Sequence, residues 1–157
     1  MGLKSAGMLV FRHQLDHIEF FLVHPGGPFF LKKNEGFWTI PKGLLLEQEE
    51  PLAAALREFK EETGVELSGE LAEVIDIGTV TQKGGKTVYG FALAFDFDAA
   101  SLVSNTFLLE WPPRSGKKVS FPEIDRGGWF TINEARKLIN SAQAEFLDRL
   151  MEQLGPS

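Results

Sequence analysis

Residues 43 to 65 read GLLLEQEEPLAAALREFKEETGV, and this stretch decides how the chain around it folds. Pro51 suits the first turn of a helix, where its missing N–H is no loss, and Gly64 suits the position just past a helix end. Between them Leu52, Ala55, Leu56 and Phe59 recur at i, i+3, i+4 and i+7, the spacing of one buried stripe. The spacing predicts a helix over 51–63 with one face against a core. The same stretch concentrates Glu47, Glu49, Glu50, Glu58, Glu61 and Glu62. At about 100° per residue, Glu58, Glu61 and Glu62 project within an arc of roughly 100°, beside the apolar stripe rather than opposite it. A like-charge i,i+4 pair such as Glu58 and Glu62 costs a few tenths of a kcal/mol on an isolated helix. Something cationic is expected to compensate.

Charge runs usually mark a solvated face, so an ordinary acidic helix is the plain reading of these glutamates. The chemical reading is a site for a hard divalent cation. Oxygen ligands without His or Cys favour Mg²⁺, which binds through a few carboxylates together with water and substrate phosphates. Arg57 is placed to pair with Glu61 or with Glu49, fixing the carboxylates that remain. Cysteine is absent, which removes disulfides, thiolate metal sites and a Cys nucleophile. His13, His17 and His24 lack zinc spacing and read as loop or strand-end residues. Neither HPGGPFF nor QKGGK matches a P-loop or a dinucleotide-binding fingerprint.

Outward from the helix, residues 5–11 and 18–23 read as an antiparallel strand pair, and 24–36 as an irregular Gly- and Pro-rich loop. FWTIPKG, 37–43, gives a short extended piece. Further strands are expected over 71–81 and 87–97, joined by the hairpin-like QKGGK. Residues 98–122 have the weakest periodicity and read as a long surface excursion carrying Arg114, Lys117 and Lys118. Thr131 and Glu134 form a capping-box pair, and Phe146, Leu147, Leu150, Met151 and Leu154 form the stripe of a last helix. A chain of 157 residues with no repeat or linker reads as one domain, 1–157. The formal charge of -6 argues against general nucleic-acid binding. No uncharged stretch approaches a membrane span, so membrane insertion and secretion are not expected and a cytoplasmic location is.

The order Gly43, five residues, Glu49, seven residues, Arg57-Glu58-Phe59, one residue, Glu61-Glu62, one residue, Gly64-Val65 resembles the Nudix box at every defining position. FWTIPKG before it and PEIDRGGWF after it resemble common flanks of Nudix hydrolases. KSAGMLVF and GKTVYGFALAF are similar to segments of the diadenosine polyphosphate hydrolases of that family. The resemblance implies an α/β fold, an α/β/α sandwich around a mixed sheet, and hydrolysis of a diphosphate bond with Mg²⁺ or Mn²⁺. It further implies that Glu58 and Glu62 are the main metal ligands, that Glu61 is a further ligand or the water-activating base, and that the Lys42 carbonyl adds another ligand. Arg57 belongs with them as support, and Glu123 is the alternative base.

An acidic protein that holds a polyphosphate needs local positive charge. Lys42, Lys83, Lys86, Arg114, Lys117 and Lys118 are the candidate contacts, with Lys42 and the Arg114 loop favoured, and Trp111 is the candidate for stacking on a base. The expected function is pyrophosphohydrolysis of nucleoside or dinucleoside polyphosphates by a monomer or homodimer, the partner being a small nucleotide. Nucleotide sugars or other diphosphate-linked substrates are the alternative. A catalytically silent nucleotide-binding module is a further alternative, which the presence of all three helix carboxylates disfavours.

Overall fold

A computed structural model describes residues 2–67 and 73–155. Among these residues the order is β1 (Lys4–His13), β2 (Ile18–Pro25), β3 (Lys42–Leu44), α1 (Pro51–Thr63), β4 (Ile75–Gln82), β5 (Lys86–Ala94), β6 (Thr106–Glu110), β7 (Lys118–Pro122), β8 (Ile124–Phe130), α2 (Ile132–Leu138) and α3 (Ala144–Leu154). No described helix is long and apolar enough to cross a membrane.

The main sheet runs β4-β5-β1-β2-β8, with β3 added to β1. It is mixed, because β1 and β5 are parallel while the other pairings are antiparallel. β1 meets β2 only near their hairpin, from Phe11↔Phe20 to His13↔Ile18. Its first half pairs instead with β3, from Ser5↔Leu44 to Gly7↔Lys42. The two strands therefore part, and residues 39–44 enter the gap: Thr39 exchanges both backbone hydrogen bonds with Val23 at 2.9 Å, and Met8 N–H donates to the Pro41 carbonyl at 3.1 Å. Gly7 makes room for this wedge, since a β-carbon there would meet Ile40, Pro41 and Lys42. Lys42 and Gly43 are thereby brought to the side of α1.

Both faces of the sheet are covered. Ala6, Met8, Val10, Phe21 and Val23 pack with Ala54, Ala55 and Phe59 of α1. Leu9, Phe11, Phe20 and Leu22 turn the other way and pack with Phe146, Leu147 and Leu150 of α3. This two-sided burial explains why β1 and β2 read as nearly continuous apolar runs, and the result is the expected α/β/α sandwich.

Helix α1 spans 51–63 as the spacing predicts, and Gly64 ends it with φ 77°. The Thr131–Glu134 capping box is present with both its hydrogen bonds. Three strand readings need correction. β4 begins at Ile75 rather than at residue 71; residues 71 and 72 lie outside the described residues. β5 ends at Ala94 rather than at residue 97, because the Phe97 ring leaves the sheet to stack against Phe21 at 4.7 Å and Trp129 at 5.2 Å. Within 98–122 the chain forms a β-ribbon, β6 with β7. Its apolar residues lie on both faces, with Phe107 and Phe121 half-buried and Leu108 and Val119 exposed, so no clean alternation marks it. His24 sits at a strand end as read, but it is wholly buried. Its Nδ1 lies 2.9 Å from Asp125 and its Nε2 2.6 Å from the Lys33 carbonyl, tying the Gly-rich loop to β8.

Candidate active site

The last turn of a helix leaves backbone carbonyls without intrahelical partners. In α1 the returning chain takes them: Val103 N–H donates to the Thr63 carbonyl and Asn105 N–H to the Glu61 carbonyl, each at 2.8 Å. Asn105 in turn accepts from Glu123 N–H at 2.8 Å. Two backbone hydrogen bonds thus tie Glu123, sixty-two positions further along, to Glu61. The ribbon between them, β6 and β7, is the loop that brings them together.

A cavity of about 390 Å³ opens at this junction. Glu58, Glu61 and Glu62 form its α1 side and Glu123 and Asn105 face them, while Lys42, Gly43 and Lys86 close it from the sheet. The helix carboxylates differ sharply in setting. Glu61 is the exposed one. Glu62 is 7% exposed and accepts one long bond, from Lys42 N–H at 3.3 Å. Burial pushes its pKa to about 8; Lys42 opposes the rise, while the charges of Glu58 and Glu123 add to it. Burial also raises Glu58, against the opposing pull of Arg57.

Arg57 organises the rim. Its Nε and Nη2 donate to the two oxygens of Glu49 at 2.9 Å each, a bidentate fork. Nη1 donates to Glu58 at 2.8 Å and to Glu61 at 3.2 Å, and Nη2 also reaches the Leu44 carbonyl at 3.0 Å. Both pairings open to Arg57 in the sequence are made. The Glu49 pKa falls to about 2, first through the Arg57 fork and then through Leu46 N–H.

The donor set tests whether a divalent cation fits. Four carboxylates share one cavity, one of them buried with a single weak hydrogen bond, and that arrangement is compensated by positive charge. Among the described residues, no three His, Cys, Asp or Glu groups are already converged around one point. The chemistry of the set fits a hard cation that also draws ligands from water and phosphate.

Arg114, Lys117 and Lys118 do not line this cavity. Arg114 and Lys117 lie in the turn at the far end of the ribbon and Lys118 begins β7, all three exposed. Trp111, beside them, packs edge-on against Phe29 at 5.4 Å. Among the described residues the cations that do line it are Lys42 and Lys86. Asn105 also lines the cavity, and no sequence motif marks it, because its place depends on how the ribbon returns. A larger cleft of about 740 Å³ lies along α2 and α3. Four of its charged groups already pair with one another, Arg136 with Asp148 at 2.8 Å and Arg149 with Glu145 at 2.5 Å, while Glu152 also lines it without an ion pair among the described residues.

The sequence model of the NUDIX domain matches residues 3–150. The chain belongs to the NUDIX family. This NUDIX chain is 34% identical over 110 residues to the asymmetrical bis(5'-nucleosyl)-tetraphosphatase of Rattus norvegicus, covering 62% of this chain and 69% of that one. It is 31% identical over 109 residues to the RNA pyrophosphohydrolase of Rhizobium meliloti strain 1021, covering 62% of this chain and 60% of that one. The match thus spans less than two thirds of the Rhizobium relative's length. An Ap4A hydrolase of C. elegans in a binary complex superposes with a TM-score of 0.64 over 97% of each chain at 21% identity. The NUDIX domain of Shewanella oneidensis NrtR, complexed with ADP ribose, gives 0.69 over 99% of this chain and 90% of that one at 14% identity. At those identities the two structures show a shared fold.

Proposed function

We propose that this NUDIX protein is a metal-dependent pyrophosphohydrolase of nucleoside or dinucleoside polyphosphates, working in the cytoplasm. The observation that carries the reading is the single cavity in which the buried Glu62 meets Glu58, Glu61 and Glu123 beside Lys42 and Lys86. The two relatives named above, a tetraphosphatase and an RNA pyrophosphohydrolase, support it.

The carboxylates of Glu58, Glu61 and Glu62, with the Lys42 carbonyl, would hold Mg²⁺ or Mn²⁺. Such an ion, when bound, neutralises phosphate oxygens and lowers the pKa of a coordinated water. The chain's own residues do the rest. Lys42 and Lys86 hold the phosphate oxygens with charge-assisted hydrogen bonds. Arg57 keeps Glu58 and Glu61 in fixed orientations from one rigid helix. A carboxylate takes a proton from the attacking water as the new P–O bond forms and the bridging P–O bond breaks. Glu61 and Glu123 are the two candidates for that proton.

The test is product release from dinucleoside polyphosphates, nucleoside triphosphates and nucleotide sugars, with Mg²⁺ and with chelator. Glu61→Gln and Glu62→Gln each lower kcat by roughly a hundredfold or more. Turnover that persists in chelator, or near-normal activity in both variants, overturns the proposal. Between Glu61→Gln and Glu123→Gln, the variant that loses the acid limb of the pH-rate profile identifies the base.

A further inference from the structure

A second cavity, of about 430 Å³, adjoins the carboxylate cavity and shares Lys42 and Lys86 with it. Its own wall adds Lys83, Gln82 and Asn140. Among the described residues three ammonium-bearing side chains, Lys42, Lys83 and Lys86, therefore line this one cavity in a chain of formal charge -6. Among the described residues none of the three makes an ion pair with a carboxylate. Lys86 is half-buried there; that burial and then the charge of Lys42 push its pKa down, against the opposing charge of Glu62 in the neighbouring cavity.

The cluster is mounted on fixed backbone. Lys83 and Lys86 flank the β4–β5 turn, where Gly84 and Gly85 have φ of 89° and 81° and Gly85 N–H donates to the Gln82 carbonyl at 3.0 Å. The N-terminal residues brace this turn: Gly2 packs against the Gly85 carbonyl, and Thr87 N–H donates to the Leu3 carbonyl at 2.9 Å. Lys42 is set by the β1–β3 register. Asn140 spends its side-chain oxygen on Ala142 N–H at 2.9 Å, which leaves its amide NH₂ to donate. Among the described residues every charged group on this wall is a cation, and the partner that suits it is an extended anion.

We propose that this lysine lobe receives the further phosphates of a chain longer than a diphosphate, and so selects polyphosphates over diphosphates capped by a neutral sugar. The inference rests on reading the carboxylate cavity as the place where the diphosphate bond is cut. A diphosphate joined to a neutral sugar engages Lys42 and Lys86 on the shared wall but leaves Lys83 facing hydroxyls. A chain of three or more phosphates sets charged oxygens against all three. Discrimination then comes from charge matching rather than from shape.

Lys83 separates the two cavities experimentally, because it lines the lobe and not the carboxylate cavity. Inorganic tripolyphosphate binding is measured by calorimetry on wild type, Lys83→Gln and Lys83→Arg, and kcat/KM is measured for diadenosine tetraphosphate and for ADP-ribose. In Lys83→Gln the tripolyphosphate Kd rises about five- to tenfold and the tetraphosphate to ADP-ribose ratio of kcat/KM falls by the same factor, the loss of one charge-assisted contact. Lys83→Arg restores both. Equal tripolyphosphate affinity in wild type and Lys83→Gln, or an unchanged substrate ratio, overturns the lobe while leaving the hydrolase standing. Weakened tripolyphosphate binding in a chain that hydrolyses neither substrate overturns the hydrolase and leaves the lobe. Unchanged melting temperatures of the variants show that the turn still folds.

Discussion

Gly43 lies directly under the Glu58 carboxylate, so close that a β-carbon at position 43 would overlap the carboxyl carbon and both its oxygens. Its φ is not positive, so the glycine is there for space and not for backbone freedom. Gly43→Ala therefore displaces the Glu58 carboxylate without straining the local backbone. The expected outcome is a folded protein, destabilised by about 1–3 kcal/mol as in other over-packed sites, with Mg²⁺-supported turnover down at least about tenfold. Thermal melts beside a Mg²⁺ titration of kcat check it. A variant with wild-type ion dependence would show that Glu58 is not held where the cavity needs it.

Arg57 offers its fork to Glu49 and its remaining donors to Glu58, Glu61 and the Leu44 carbonyl. Lysine keeps the charge but cannot serve these acceptors from one planar group. Arg57→Lys is expected to lose about 1–2 kcal/mol of stability, as two or more charge-assisted bonds go, and to lower kcat more than it raises KM. Glu49 sharpens the test at acid pH. Its folded pKa lies near 2 against an ordinary 4.5, so its contribution to stability is present above about pH 4.5 and is lost as pH falls through about 2. Denaturation of wild type and Glu49→Gln at several acid pH values should give stability curves that converge as pH drops. Curves that stay parallel would remove the Arg57–Glu49 pair from the energetics.

Glu62 works in the opposite sense. Its carboxyl is ordinary in the unfolded chain but is pushed to about 8 in the fold. Between those values the unfolded chain ionises while the folded one holds its proton. In chelator, then, the contribution is fully present below about pH 4.5 and is lost as pH rises through about 8. Glu62→Gln should lack that slope. Mg²⁺ should reverse it, because an ion bound by this group requires the ionised carboxylate and its binding releases a proton. Melting temperatures at pH 5, 6.5 and 8, with chelator and with Mg²⁺, give the comparison. Identical pH profiles for wild type and Glu62→Gln would mean that the group titrates normally.

How much of this was legible depended on distance along the chain. Helix 51–63, its glycine stop and the arc holding Glu58, Glu61 and Glu62 are local properties of 3.6-residue periodicity, and the structure has all of them. The burial of Glu62 was not legible. It depends on the wedge of residues 39–44 entering between β1 and β2, which places Lys42 N–H beside it. The roles of the lysines were no easier to read. Lys86 and Arg114 look equally polar in sequence, and only the parallel pairing of β5 with β1 brings Lys86 to the cavity. Arg114 is carried away on a ribbon whose two apolar faces hid its strands. Asn105 carried no signal, since its position comes from the backbone carbonyl of Glu61 and not from its own side chain.

That ribbon supports a last prediction. Its stem fixes Glu123 through Asn105, whereas its tip carries Arg114, Lys117 and Lys118 away from the cavity walls. Five paired residues separate Asn105 from the tip, about 17 Å of strand. Exposed charges at that range are largely screened at ordinary ionic strength. Neutralising all three with glutamine is therefore expected to change KM for a dinucleoside polyphosphate by less than about twofold, whereas Lys86→Gln raises it about five- to tenfold. Initial-rate measurements at two salt concentrations separate the cases. If the triple variant shows the larger KM effect, and the effect fades with salt, the tip folds over the substrate during turnover and the polyphosphate contacts read from the sequence regain their place.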